Sequence, residues 1–407
     1  MQKSEFHIYT LPNGIRGIHR QVRGNVVHCA LTTGAGSRDE LAGEYGLAHF
    51  TEHGFFKGTG KRRAYQVNCR LENLGGELNA FTTKEETTLH ATVLRSDFAK
   101  AAELIADVAF GSVFPDREME KEREVICDEI NTYKDSPADA IYDSFEELLF
   151  EGSEIGHNIL GDKRSVMHFT GDDIRTFMRR TYTTDRMVFS SVGNISPEAA
   201  ERTAMRYLGT AAPSQRAFDR TVPPLNEPFD KCLNKHTHQV HCITGCRAYG
   251  TSDKRRLQLA LLINILGGPS ANSRLNVTVR EKYGLSYNIE ASYTPYCDSG
   301  MAAIYFSSDK INAQRCMELV DAEIERLRRE PLTARRLSMA KKQFIAQLAI
   351  SMESNEGYML GAGRSLLAHG RVDTFEEVCR KIDAVTAGQL VETAGEVLTG
   401  MSRLTYK

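Results

Sequence analysis

Two imidazoles four residues apart, with a carboxylate between them, form the most chemically specific cluster in the chain: His49-Phe50-Thr51-Glu52-His53. The pattern predicts a helix beginning near Glu44, which puts His49 and His53 one turn apart on one face with Glu52 beside them. Imidazoles at that spacing can converge on a tetrahedral zinc, and a neighbouring carboxylate that is not a ligand can take a proton from bound water. A solvated polar helix face is the competing reading of the same residues.

A catalytic zinc needs a third protein ligand and an open position. The periodicity predicts a second helix over Asp116–Lys134, with Met119, Glu122, Ile126, Glu129, Ile130 and Tyr133 on one face. Two carboxylates inside an apolar stripe require a metal, a cation or hydrogen bonds, because desolvating an unpaired charge is very costly. Either Glu122 or Glu129 satisfies this by spacing. The alternative is that both lie at the stripe's edge and pair with Lys121, Arg123 or Lys134.

These helices must be carried by a larger scaffold. A chain of 407 residues exceeds one ordinary core and suits two or three domains. The segment from Gly209 to Pro228 contains four prolines and reads as a linker, dividing the chain into 1–208 and 229–407. The halves show a weak repeat: Val27-His28-Cys29 recurs as Val240-His241-Cys242, each ending a β-rich stretch about 20 residues before a helical pattern. Strand runs followed by long amphipathic helices, Asp116–Lys134 in one half and Ala313–Arg329 in the other, predict an α+β fold with two related halves. Each half is a mainly antiparallel sheet packed with helices. An offset of 213 carries His49, Glu52 and His53 onto Leu262, Ile265 and Leu266, so the second half is a duplicate without a metal site.

Composition narrows the partners. With 51 Lys+Arg against 53 Asp+Glu, no global basic field exists to favour nucleic acid. No run of 18 apolar residues predicts a membrane span, and the first residues read as a strand entering a Pro12-Asn13-Gly14 turn instead of a leader. Nine scattered cysteines without a CxxC pair suit free thiols, and a bacterial-type cytoplasm is the expected compartment. His236, His238 and His241 read as ordinary strand residues.

The segments HFTEHGFFKGT (His49–Thr59), GGELNAFTTKEET (Gly75–Thr87), EREVICDEI (Glu122–Ile130), LGGPSANSRL (Leu266–Leu275) and REKYGLSY (Arg280–Tyr287) carry a wider likeness. Together with HxxEH, the inverzincin signature, they resemble the pitrilysin/insulinase family of zinc metallopeptidases, in particular its half-length, processing-peptidase-like branch. The resemblance implies one zinc per chain, held by His49, His53 and Glu129, with Glu122 behind the ligands and Glu52 as general base. It implies that the strand after Gly76 is a sheet edge to which a substrate peptide adds, with Asn79 and Ala80 near the scissile bond. It also implies that Arg280 and Tyr287 approach the substrate backbone from the domain facing the zinc. Thr51 and Gly54 depart from the larger apolar residues of many members, which bears on packing and not on chemistry. The expected activity is a zinc-dependent endopeptidase acting on extended, unfolded peptides. A non-catalytic or partner-dependent subunit is the alternative. A homodimer is the expected assembly, in which the zinc site of one subunit meets Arg280 and Tyr287 of the other, with a heterodimer as the other possibility.

Overall fold

The structure, a computed structural model, describes residues 5–407. The chain forms two compact units, one of which takes the chain up to Ile130, His157–Thr221 and Ile350–Val372. The other takes Asn131–Gly156, Val222–Ala349 and Asp373–Lys407.

The first unit is built on a six-stranded sheet. Its strands are β1 (His7–Thr10), β2 (Arg16–Gln21), β3 (Val26–Thr33), β4 (Glu77–Thr82), β5 (Thr87–Leu94) and β6 (Met187–Gly193), in the order β1-β2-β6-β3-β5-β4. Only β2 and β6 pair in parallel. The expected amino-terminal strand is β1, followed by a turn in which the Gly14 N–H donates to Leu11 O; its first residues, 1–4, lie outside the described residues. The stretch Glu77–Leu94, which alternates like one strand, is a hairpin instead. Thr83 closes its turn by accepting from Glu86 N and donating to Glu86 O, so β4 becomes the last strand of the sheet.

Four helices of this unit follow in chain order: α1 (Leu47–Gly54), α2 (Ala64–Glu72), α3 (Phe98–Gly111) and α4 (Asp116–Lys134). Helix α4 has the bounds its periodicity predicts. Asp116 and Glu118 in the first turn and Lys134 in the last complement the helix dipole. Helix α1 begins at Leu47, not near Glu44, because Gly46 has φ +100° and breaks the helical run.

In the second unit the strands β7 (Asp230–Leu233), β8 (Val240–Ala248), β9 (Asn288–Pro295), β10 (Gly300–Ser308) and β11 (Ser402–Tyr406) form a sheet in the order β7-β11-β8-β10-β9. This repeats the order β2-β6-β3-β5-β4 with the same single parallel pair, so the duplication read from three residues extends to the whole sheet topology. The Val-His-Cys triplets open β3 and β8 rather than ending a β stretch. His236 and His238 fall in the loop between β7 and β8, with φ +53° at His236, so only His241 is a strand residue.

The compact units depart from the two sequence halves. Helix α5 (Pro137–Leu149), from the first half, buries Ile141, Phe145 and Leu149 with Ile243, Leu404 and Tyr406 of the second sheet. Conversely, the helix Asn355–His369 covers β3 and β6, setting Met359, Ala362 and Leu366 against Ala30, Val192 and Val188. The cause is visible in β6, which is buried along its whole length and needs cover on both faces. Gly363 permits the close approach, since a Cβ there would sit 2.9 Å from Ser190 Oγ. The expected linker is also divided. Its first part is held in the first unit, where Arg216 and Arg220 pair with buried Asp39 at 2.7 and 2.8 Å and Ser214 N donates to Thr184 Oγ1.

Candidate functional site

Helix α1 turns Leu47, Ala48, Phe50, Thr51 and Gly54 into the core, which leaves His49, Glu52 and His53 on the face that meets α4 and the end of β4. Thr51 is accommodated by donating from Oγ1 to Leu47 O. Gly54 is required by Phe114, whose ring would lie 2.8 Å from a Cβ at that position. The two small residues are therefore matched by local packing.

On α4, Met119, Ile126 and Ile130 are buried, and Glu122 and Glu129 lie two turns apart on the same face. The His53 ring reaches both. Its Nδ1 is 2.9 Å from Glu122 Oε2, and its Nε2 is 3.6 Å from Glu129 Oε2. The Nε2 of His49 is 3.7 Å from that same Glu129 oxygen. Spacing alone left Glu122 and Glu129 equivalent, and tertiary geometry separates them: one carboxylate faces both Nε2 atoms, the other faces the back of one ring. Glu122 also forms an ion pair with Lys57, and not with Lys121, Arg123 or Lys134. Burial pushes the Glu122 carboxyl up, but its hydrogen bonds to His53 and Lys57 outweigh this and hold it below the usual carboxylate range. Lys57 was missed in the sequence, although its place four residues after His53 is a signal for it.

The three groups His49, His53 and Glu129 have ligand atoms all within 4.8 Å of one another and could hold a metal ion. Nitrogen to oxygen separations of 3.6 and 3.7 Å are long for hydrogen bonds. They approach the edge of about 3.4 Å expected for a tetrahedron with ligand bonds of about 2.1 Å. Burial lowers His49 to about 3, with His53 adding to the effect, so its imidazole is neutral near pH 7 as a metal ligand must be. His49 Nδ1 is buried without a hydrogen-bond partner and His53 Nδ1 lies against Glu122, so in both rings Nε2 is the nitrogen turned toward Glu129.

Glu52 is half-buried beside Thr82 at the end of β4. Burial raises its carboxyl above the usual range and Glu129 adds to the rise, while hydrogen bonds to Thr82 and the proximity of His53 act against it. A carboxylate of increased basicity next to a potential metal site can act as a general base. On β4, Asn79 is exposed opposite His90, and Ala80 is half-buried opposite Leu89.

The sequence matches the family model described as Insulinase (Peptidase family M16) over residues 19–163, and the one described as Peptidase M16 inactive domain over residues 168–344. An uncharacterized zinc protease of Bacillus subtilis, YmxG, is 32% identical over 96% of this chain and 95% of its own. The chain belongs to the pitrilysin/insulinase (M16) family. A second M16 relative, an uncharacterized zinc protease of Mycobacterium tuberculosis, is 32% identical over 96% of this chain and 90% of its own. Two solved structures share the fold at 19% identity. A peptidase M16 inactive domain from Pseudomonas fluorescens has TM-score 0.91 and covers 98% of both chains. A protease from Helicobacter pylori has TM-score 0.90 and covers 99% of both.

Within this M16 chain the second unit has no counterpart of the His-Glu cluster. Its helix Arg256–Gly267, which follows β8 as α1 follows β3, buries Leu262 and Leu266 and half-buries Ile265 where the first has His49, His53 and Glu52. Arg280 and Tyr287 do come together there. The guanidinium lies 5.7 Å from the ring centroid, across a turn with Gly284 at φ +62°, and Tyr287 is 85% exposed. All nine cysteines are free, and among the described residues no helix is long and apolar enough to cross a membrane.

Proposed function

We propose that this chain is a zinc-dependent endopeptidase that cleaves extended, unfolded peptides. The observation that carries the reading is the convergence of two Nε2 atoms on one oxygen of Glu129, with Glu52 beside them and next to β4. His49, His53 and Glu129 would hold one zinc ion. Zinc in such a site supplies a Lewis acid that polarises a peptide carbonyl and acidifies water. Glu52 takes a proton from the attacking water and passes it to the leaving amine, a role that its raised basicity suits. Glu122, accepting from His53 Nδ1–H, would leave the Nε2 lone pair free to hold the zinc.

Strand β4 pairs only with β5 in its sheet, so an extended peptide can add to it through backbone hydrogen bonds. Asn79 and Ala80 would then lie along the substrate near the cleaved bond. Arg280 and Tyr287, paired and exposed, present a guanidinium and a phenol that can donate to a peptide carbonyl and to the oxyanion of a tetrahedral intermediate. We assign them to the active site of a partner subunit in a homodimer. The inactive-domain match covers Arg280, Tyr287 and the helix without metal ligands, which supports a positioning role for the second half.

Metal analysis of the purified protein, with a quenched-peptide assay before and after chelation, tests the proposal. Zinc near one equivalent and turnover that chelation abolishes and zinc restores are expected. Zinc uptake without turnover would instead favour a non-catalytic or partner-dependent subunit.

A further inference from the structure

Glu40 is one of the most deeply buried carboxylates in the first unit, and the proposed chemistry does not use it. It lies between the short helical turn Ser37–Asp39 and α1, six residues ahead of Gly46. Gly46 stands at the N-cap of α1 with φ +100° and has no side chain to cap the first helical N–H groups. Glu40 satisfies two of them: its Oε2 accepts from Gly46 N at 3.0 Å, and its Oε1 accepts from Ala48 N at 2.6 Å. The same Oε2 lies 2.7 Å from His157 Nε2, and that ring is stacked on Tyr45 with centroids 4.2 Å apart. Lys84, in the β4–β5 turn, donates to His157 O at 2.5 Å. The backbone N–H groups of Ser37 and Arg38 donate to Thr83 and Lys84 carbonyls of that turn.

The Glu40 carboxylate therefore joins the start of the histidine-bearing helix to His157, which Lys84 in turn ties to the hairpin that contains β4. Ala48 precedes His49 directly, so a shift of the first turn of α1 moves His49 with it. A ligand displaced by a fraction of an ångström leaves the geometry a metal requires.

We infer that Glu40 is a positioning residue, which caps α1 from a distance and, together with His157, sets His49 and His53 in register with Glu129 and with β4. The inference rests on the proposal that these three residues bind zinc. In Glu40→Gln the amide NH2 would face the N–H of Gly46 or of Ala48, donor against donor, while side-chain volume is kept.

The experiment measures zinc affinity by chelator competition, amide exchange in α1, and peptidase kcat and KM, for wild type, Glu40→Gln and Ser196→Ala. Ser196 caps the helix Pro197–Tyr207, so its variant loses a cap elsewhere in the same unit. Glu40→Gln should weaken zinc affinity by about tenfold or more, speed exchange at Gly46 and Ala48, and lower kcat with KM little changed. Ser196→Ala should match wild type in all three. Should Glu40→Gln fail to fold, His157→Ala, which removes one of the three partners, should move affinity the same way by a smaller factor. Wild-type zinc affinity in a folded Glu40→Gln, or in His157→Ala where that is the variant available, overturns the inference alone. Absence of zinc binding by the wild type overturns the metal reading as well.

Discussion

Changing each α4 carboxylate in turn to its amide separates a ligand from a residue that orients one. Glu129 Oε2 is the oxygen facing both Nε2 atoms, at 3.7 and 3.6 Å, whereas Glu122 touches only the far side of the His53 ring. Structural zinc sites of zinc-finger peptides, taken as the scale, bind with about 10–16 kcal/mol of apparent free energy near pH 7. Shared over four coordination positions, one ligand accounts for about 2.5–4 kcal/mol, or two to three decades in affinity. Loss of a carboxylate that orients a ligating histidine costs about 10–100-fold. Glu129→Gln should therefore weaken zinc binding by about 10²–10³-fold, and Glu122→Gln by less. Lys57, which loses its ion pair in the second variant, is partly exposed and can turn to water, so that protein should still fold. The assay is competition with a chromophoric chelator at pH 7, where burial keeps His49 neutral, with circular dichroism to verify folding. Glu122→Gln weakening zinc more than Glu129→Gln would show that the ligand has been assigned to the wrong carboxylate.

Glu52→Gln should retain zinc and fold normally while peptide hydrolysis falls by about 10²–10⁴-fold, the usual contribution of a general base; retained turnover would remove Glu52 from the mechanism. Mixing Glu52→Gln with Tyr287→Phe protein under conditions of subunit exchange should restore activity, because one of the two sites in a mixed dimer combines an unaltered zinc site with an unaltered tyrosine. Verified exchange without recovery would exclude the shared site. Met359→Ala should destabilise the first unit by about 2–5 kcal/mol through a cavity over β3 and β6, read as a lower denaturant midpoint for zinc release. An unchanged midpoint would mean that the helix Asn355–His369 does not hold that unit together.

Much of the site is local and was therefore legible in the chain. Spacing of four residues makes His49 and His53 neighbours in any helix, and the stripe on α4 predicted that helix to its observed bounds. That the second half lacks the HxxEH pattern is equally legible, since Leu262, Ile265 and Leu266 stand at its positions and offer no ligand atom. Less legible were the ends of elements. The start of α1 moved three residues because one glycine adopts positive φ, and Glu77–Leu94 folded into a hairpin because Thr83 bonds Glu86 across a tight turn.

What the sequence determined by itself is the chemical inventory: two imidazoles and a carboxylate on one helix, two carboxylates on another, and apolar residues at the HxxEH positions of the second half. Only the tertiary structure gives Glu122 and Glu129 different surroundings, because residues seven apart share a face of α4 and the distinction lies in which end of the His53 ring each one meets. It also decided that α5 and the helix Asn355–His369 join the unit built mainly from the other half of the chain, since a strand such as β6 must be covered on both faces by whichever apolar helix the chain brings there. The Glu40 contact is of the same kind. Three hydrogen bonds to one buried carboxylate, reaching to Gly46, Ala48 and His157, depend on long-range folding and leave no periodic trace in the sequence.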